Sequence, residues 1–186
     1  PPADAGRVLL AVGRLHPDKG FDILLDAYAR IAGRHPDWTL VILGEGPQRA
    51  ALQAQIKRLG LAGKVSMPGR AGNVGEWYDR ADLYVLSSRV EGLSNTLLES
   101  MASGLAAVAF DCETGPREIV RDGEDGVLVR PAQDAAALAQ ALSRLMADPG
   151  TRARMAARAV QVRERFSAER ILSRWQEVFD QVRDAG

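Results

Sequence analysis

Short uninterrupted runs of apolar, largely β-branched residues alternate along this chain with segments whose apolar positions recur every three to four residues. The runs fall at residues 7–12 (RVLLAV), 39–43 (TLVIL), 64–67, 82–86 (DLYVL), 106–110 (AAVAF) and 126–129. Between them, residues 21–33 carry Phe21, Leu24, Leu25, Tyr28 and Ile31 on one helical stripe. Residues 47–59 read as a helix with Pro47 in its first turn and Gly60 as its stop. Further helices are predicted over 74–80, over 95–103 with Gly104 as terminator, and as a turn over 116–120. Strands without a polar face must be covered on both sides. The alternation therefore predicts an α/β fold, a doubly wound parallel six-stranded Rossmann-like sheet. Sheets of this kind bind ligands beyond the carboxyl ends of their strands, which directs attention to the loops after each run.

After residue 129 the pattern turns wholly helical. Residues 133–146 place Leu138, Leu142, Leu145 and Met146 on one face, and Asp148-Pro149-Gly150 breaks that helix. An Arg-rich helix over 151–163 follows. Ser167 then reads as the cap of a helix over 168–182, striped by Ile171, Leu172, Trp175, Phe179 and Val182. One domain is expected over 1–186, with its α/β core at 5–131 and C-terminal helices at 132–186. The arginines from Arg144 to Arg174 are interleaved with acids and read as a solvated face.

Composition narrows the partners. The 24 basic residues balance 24 acidic ones, so the chain lacks the positive excess that general binding to nucleic acid or acidic membrane requires. A single cysteine, Cys112, excludes an internal disulfide framework and a cysteine-built zinc site, and it reads as a packed thiol. His16 and His35 are too few for a multi-histidine metal centre; His35, before Pro36, is expected at the surface. No apolar run approaches the ~20 residues of a membrane span. The chain opens Pro1-Pro2-Ala3-Asp4 without Met, which is expected of an interdomain linker in a longer protein.

The strand ends carry the chemistry. The first run leads into Gly13-Arg14-Leu15-His16-Pro17-Asp18-Lys19-Gly20 directly before a helix. Glycines allow close backbone approach, and a helix start with two cations suits phosphate, although the word is neither GxGxxG nor a Walker A sequence. The second run ends in Gly44-Glu45-Gly46-Pro47, either a plain turn or a glycine backbone that a ligand approaches. The third ends in Pro68-Gly69-Arg70, where main chain could meet a planar base. The fourth leads through Glu91 to Glu99, two carboxylates eight positions apart with Ser94 as helix cap between them. Carboxylates accept hydrogen bonds from paired hydroxyls, so a sugar or ribose is a natural ligand. Gly115-Pro116-Arg117-Glu118-Ile119-Val120 and Asp122-Gly123 to Gly126 follow the fifth run.

Taken in this order, from Gly13 to Gly126, these words resemble the donor-binding half of retaining glycosyltransferases of the GT-B fold, specifically glycosyltransferase family 4. The run GLSNTLLESMASG with DCETGPREI is most similar to bacterial members that build polysaccharide, lipopolysaccharide or glycan-lipid chains. The resemblance implies a C-terminal domain for a nucleotide-sugar donor, with UDP as the expected nucleotide and an N-terminal acceptor domain missing from this sequence. It implies that Arg14 and Lys19 hold the diphosphate as it leaves, that Glu91 contacts the donor sugar, and that Glu99 takes the ribose hydroxyls. Catalytic roles thereby fall to Arg14, Lys19 and Glu91. Gly13, Gly44, Gly92, Leu93, Ser94, Asn95 and Thr96 would present backbone or small groups to the donor, and Arg70 would sit by the base. No metal or other cofactor is implied; the nucleotide diphosphate sugar is a substrate. The partner is a glycan or lipid-linked acceptor, not nucleic acid. The whole protein is expected in the cytoplasm or peripherally at the inner face of the cytoplasmic membrane, and the isolated domain is expected to be inactive. Relatives commonly have Gly-Gly where this chain has Gly115-Pro116. That proline removes an amide donor, which implies a subfamily with different sugar preference and leaves Glu118 without an assigned role. Two other readings stay open: a non-catalytic sugar-nucleotide-binding or interaction module, and half of a sugar-nucleotide epimerase.

Overall fold

The computed structural model describes residues 6–184; the expected linker at Pro1-Pro2 lies outside the described residues. Six strands form: β1 (Arg7–Val12), β2 (Trp38–Leu43), β3 (Val65–Gly69), β4 (Leu83–Leu86), β5 (Ala107–Phe110) and β6 (Gly126–Val129). They make one parallel sheet in the order β3-β2-β1-β4-β5-β6, so the chain winds outward one way from β1, then returns to β4 and winds the other. This is the doubly wound arrangement expected, with its reversal of strand order between β1 and β4.

The side-chain period of two explains why the strands are apolar throughout. In β1, Leu9 and Ala11 enter one core with Leu40 and Ile42 of β2, while Val8 and Leu10 enter the other with Val41 and Leu43. The first core is closed by α1 (Phe21–Ala29), α2 (Arg49–Arg58) and α6 (Ala135–Ala147) through Leu24, Tyr28, Leu52, Leu138 and Leu142. The second is closed by α3 (Val74–Arg80), α4 (Asn95–Ala102) and α5 (Pro116–Ile119), through Tyr78, Leu97, Met101 and Ile119. Two further helices, α7 (Pro149–Ala159) and α8 (Val162–Arg165), add Ala159 and Val162 to that second layer.

Several boundaries differ from the sequence expectation. Residues 21–33 do not form one helix: α1 ends at Ala29, and Ile31 is buried in the turn that follows. Pro47 lies in a turn ahead of α2. Asp148 caps α7 by accepting the Thr151 N–H at 2.9 Å, with Pro149 at its first turn, where the missing N–H is harmless. Asp148-Pro149-Gly150 therefore starts a helix as well as ending one. Residues 133–134 precede α6, which Asp134 caps through the Ala136 and Ala137 amides.

The arginines of the helical tail are not simply a solvated face. Arg152 is buried, donates to the Leu145 and Met146 carbonyls at 2.6 and 2.9 Å, and stacks 5.0 Å from the Trp38 ring. Arg165 pairs at 3.0 Å with Asp125, which is 1% exposed. His35 is also corrected: it is buried, with Nε2 2.8 Å from Ser143 Oγ of α6, because residues 30–35 turn back under that helix. Burial lowers its pKa, desolvation being the main cause and the Arg34 charge the second. The last helix, α9 (Ala168–Asp184), presents Ile171, Leu172, Trp175, Val178, Phe179 and Val182 exposed, with Trp175 and Phe179 stacked at 5.8 Å between ring centroids. No described helix is long and apolar enough to cross a membrane.

Candidate functional site

The loops after β1 and β2 are zipped together beyond the strands. Gly13 donates to the Leu43 carbonyl at 3.0 Å, Leu15 to Glu45 at 2.9 Å, and Gln48 to Leu15 at 3.1 Å. Leu15 is wholly buried and anchors the loop. Gly44 has φ +149°, and a Cβ there would overlap the Gly13 carbonyl oxygen. This backbone contact requires glycine at that position. What remains open is a cleft of about 530 Å³ lined by Val12, Gly13, Arg14, Leu43, Gly44, Glu45, Arg70, Ala71 and Val74. Arg14 and Arg70 are exposed on it. Glu45, held by Arg49 at 3.1 Å, adds a carboxylate to the wall.

The loop after β1 continues as a 3-10 turn, Pro17–Lys19, into α1. Gly20 joins them with φ +61°, and a Cβ there would overlap the Ser87 carbonyl oxygen. The turn is thereby pressed against the loop after β4. Lys19 Nζ lies 2.7 Å from Glu91 Oε2, and the same oxygen accepts the Ser88 hydroxyl at 2.9 Å. The Lys19 stem passes beside Gly13, where a Cβ would sit 3.5 Å from Cγ and Cδ. So two residues 72 positions apart in sequence, chosen for opposite tasks, form one ion pair across the reversal of strand order. Glu91 is fixed from behind as well: its carbonyl accepts the Thr114 hydroxyl at 2.6 Å, and Gly115, φ +89°, packs directly on the Gly92 carbonyl. Pro116 opens α5, which explains why a proline is tolerated in that loop.

Ser94 is the cap of α4, its Oγ accepting from Leu97 N at 3.4 Å. By helix geometry the first amides, Asn95 and Thr96, stand outside the helical ladder and give this end a partial positive charge. Gly92, Leu93 and Asn95 are exposed around it; Thr96 Oγ1 instead receives the hydroxyl of fully buried Tyr84 at 2.8 Å. Glu99 is exposed on α4, within 3.1 Å of the Tyr78 hydroxyl. Burial pushes both tyrosine hydroxyls well above their ordinary pKa, so they act as donors to these groups. Cys112 is buried, its Sγ 3.6 Å from the Thr114 carbonyl, and burial raises its pKa; it is a packed thiol. His16 faces Asp18 at 3.0 Å in the same loop as Lys19. Among the described residues, no group of three or more His, Cys, Asp and Glu is arranged to hold a metal ion.

The arrangement thus combines a cleft with cations at its mouth, a buried-edge carboxylate and a helix start, all at the carboxyl end of one sheet. Chemically it can hold an anion and several hydroxyls together. Sequence reasoning missed Ser88, Arg89, Asp22, Thr114, Tyr78 and Glu45. Arg89, Asp22, Thr114 and Tyr78 find their partners 21 or more positions away, which leaves no local pattern, whereas Glu45 and Ser88 pair with Arg49 and Glu91 only four and three positions on.

A family profile described as Glycosyl transferases group 1 matches residues 2–162. An exopolysaccharide phosphotransferase of Streptomyces coelicolor is 40% identical over 178 residues, covering 95% of this chain and 19% of that protein. The amylovoran biosynthesis glycosyltransferase AmsD of Erwinia amylovora is 34% identical over 172 residues, covering 92% and 48%. Among solved structures, Anabaena HepE in complex with UDP superposes with a TM-score of 0.85 at 27% identity, covering 95% of this chain and 49% of that one. The C-terminal domain of the group 1 protein LpcC from Francisella tularensis gives a TM-score of 0.77 at 27% identity, covering 87% and 85%. The chain spans less than half the length of these curated relatives.

Proposed function

Because this chain belongs to the glycosyl transferases group 1 family, we propose that it is the C-terminal, donor-binding half of a retaining family 4 glycosyltransferase of the GT-B type. It takes a nucleotide diphosphate sugar, a UDP-sugar, for transfer to a glycan or lipid-linked acceptor in polysaccharide assembly. The acceptor binds mainly to an N-terminal domain, and the whole enzyme works in the cytoplasm or at the inner face of its membrane. The observation that carries this reading is the Lys19–Glu91 pair, whose lysine stem runs beside Gly13 in the wall of the cleft that Arg14 and Arg70 share. The UDP complex of HepE and the match to an isolated C-terminal domain support the same reading.

In this proposal the base enters the cleft near Arg70 and the diphosphate lies between Arg14, Lys19 and the start of α4. Glu99 accepts from the ribose hydroxyls, and Glu91 accepts from the transferred sugar. As the bond from anomeric carbon to phosphate oxygen breaks, charge grows on the departing diphosphate. Fixed cations stabilise that charge more than they stabilise the bound donor, which is what lowers the barrier. The acceptor oxygen bonds to the same face, and its proton passes to the departing phosphate. No metal is called upon.

Calorimetric titration with UDP, GDP and ADP tests the proposal, and heat with UDP is expected. A folded sample that binds none of the three would overturn it. Arg14→Ala and Lys19→Ala are each expected to weaken UDP about tenfold while sparing uridine, as loss of one charge-assisted contact would. Equal loss for both ligands would remove the phosphate assignment.

A second reading has one observation in its favour: a similar segment makes up 19% of a protein whose name is a phosphotransferase. This domain could then serve as a sugar-nucleotide-binding module beside another catalyst. Incubating the whole protein with a labelled UDP-sugar separates the two, since only the first releases UDP with sugar transfer.

A further inference from the structure

The three consecutive carbonyls of the turn that carries Lys19 are all engaged by the loop after β4. Pro17 O accepts Arg89 Nη1 at 2.7 Å, Asp18 O accepts the Arg89 amide at 2.7 Å, and Lys19 O accepts Ser87 Oγ at 2.8 Å. The Arg89 guanidinium is itself gripped by Asp22, in the first turn of α1, through two bonds of 2.8 and 2.6 Å. The bidentate fork fixes the plane of the guanidinium and hence the position of the turn it holds. The side-chain hydrogen bond from Arg89 is also the main reason the Asp22 pKa lies below its ordinary value. Two residues beyond Arg89 stands Glu91, the partner of Lys19. The Arg89 side chain is therefore the bidentate brace among the contacts that set the distance between the two loops on which the proposed phosphate cation and the proposed sugar carboxylate ride.

We propose that Arg89 and Asp22 are positioning residues for the donor diphosphate: they hold the Pro17–Lys19 turn at the spacing from Glu91 that lets Lys19 reach a phosphate. They touch no substrate themselves. The inference rests on the donor-binding reading above. It concerns geometry more than charge, because the pair is internally neutral. Asp22 also lies in the first turn of α1, where an unpaired carboxylate would oppose an anion. The test must separate that charge effect from the positioning effect.

The experiment measures UDP and uridine affinities of this chain and of three variants: Arg89→Lys, Arg89→Met, and Arg89→Met combined with Asp22→Asn. Lysine keeps the charge but cannot form the fork. The double variant removes both charges while keeping bulk. Arg89→Met is expected to weaken UDP about tenfold with uridine within about twofold of the parent, since misplacing a cation costs the phosphate contact alone. Arg89→Lys is expected to recover only part of the loss, and the double variant none of it. Full recovery in the double variant would show a pure charge effect and overturn the proposal. So would parallel loss of UDP and uridine, the mark of a merely structural role, or unchanged UDP binding in Arg89→Met. Failure of the unaltered chain to bind UDP would remove the donor-binding reading and this inference together, an outcome distinct from all of these.

Discussion

Lys19 and Glu91 satisfy one another at 2.7 Å, with side chains only 26% and 11% exposed. A diphosphate that recruits Lys19 must first compete with that carboxylate. Glu91→Gln is therefore expected to bind UDP more tightly, by about threefold to tenfold on the scale of one ordinary hydrogen bond, while slowing sugar transfer in the whole protein. Calorimetry of the variant checks this, and weaker or unchanged UDP binding would sink the competition. His35 supplies a second expectation at this scale. Its pKa is lowered on folding from the ordinary 6.5, so the folded chain holds fewer protons than the unfolded one in that range. The stability tied to it is complete above the unfolded value and is lost as pH falls through 6.5 toward the folded value. Melting temperature should drop between about pH 7.5 and about pH 5.5, and His35→Gln should show a smaller drop over the same window.

At the scale of elements, the tail helices are tied to the sheet by arginines more than by apolar stripes alone. Asp125 accepts the Arg121 amide at 2.7 Å and pairs with Arg165, which also donates to the Ile119 carbonyl at 2.8 Å. Removing the carboxylate leaves a half-buried guanidinium without its counter-charge. Asp125→Ala is expected to cost about 3 kcal/mol in urea unfolding, as breaking a buried pair does; a change under about 1 kcal/mol would mean that α8 is held by packing instead. These ties also explain what could be read in advance. Strand identity was legible because residues such as Leu9, Leu10, Leu40 and Val41 are needed on both faces of a covered sheet. The Ser94 cap followed from local pattern too; the apolar stripe of α9 was legible, but not that Trp175 and Phe179 on it stand exposed. Helix limits near Ile31, Pro47 and Gln133 were not legible, because turns and long-range packing decide them. Nor were His35, Arg152 or Arg89: each looks like an ordinary surface residue until folding brings up a partner many positions away. For the site, residue types and strand ends were legible, but the Lys19–Glu91 pairing and the Arg89 grip were not.

At the scale of the molecule, the strand order places each half of the site on a different half of the sheet. Gly13 to Lys19, Gly44 and Arg70 come from the β1–β3 side, and Ser87 to Glu99 from the β4–β6 side. The sequence reading assigned both sets to one donor through the family resemblance but gave no contact between them. In the structure their junction is continuous hydrogen bonding, from Ser87 through Arg89 to Glu91.

That division makes the chain a natural split reporter. The exposed residues Gly72 and Asn73 separate β3 from α3, so a break there leaves two polypeptides that each carry three strands and neither a complete site. Among the described residues, the only sheet pairing between them is β1 against β4. Each fragment alone is expected to give no UDP signal, and mixing them is expected to restore it with a midpoint that depends on fragment concentration, since association and site assembly are one event. A fragment that binds UDP by itself would show that the site belongs to one half. Otherwise, nucleotide binding becomes a direct readout of whether the two halves have met.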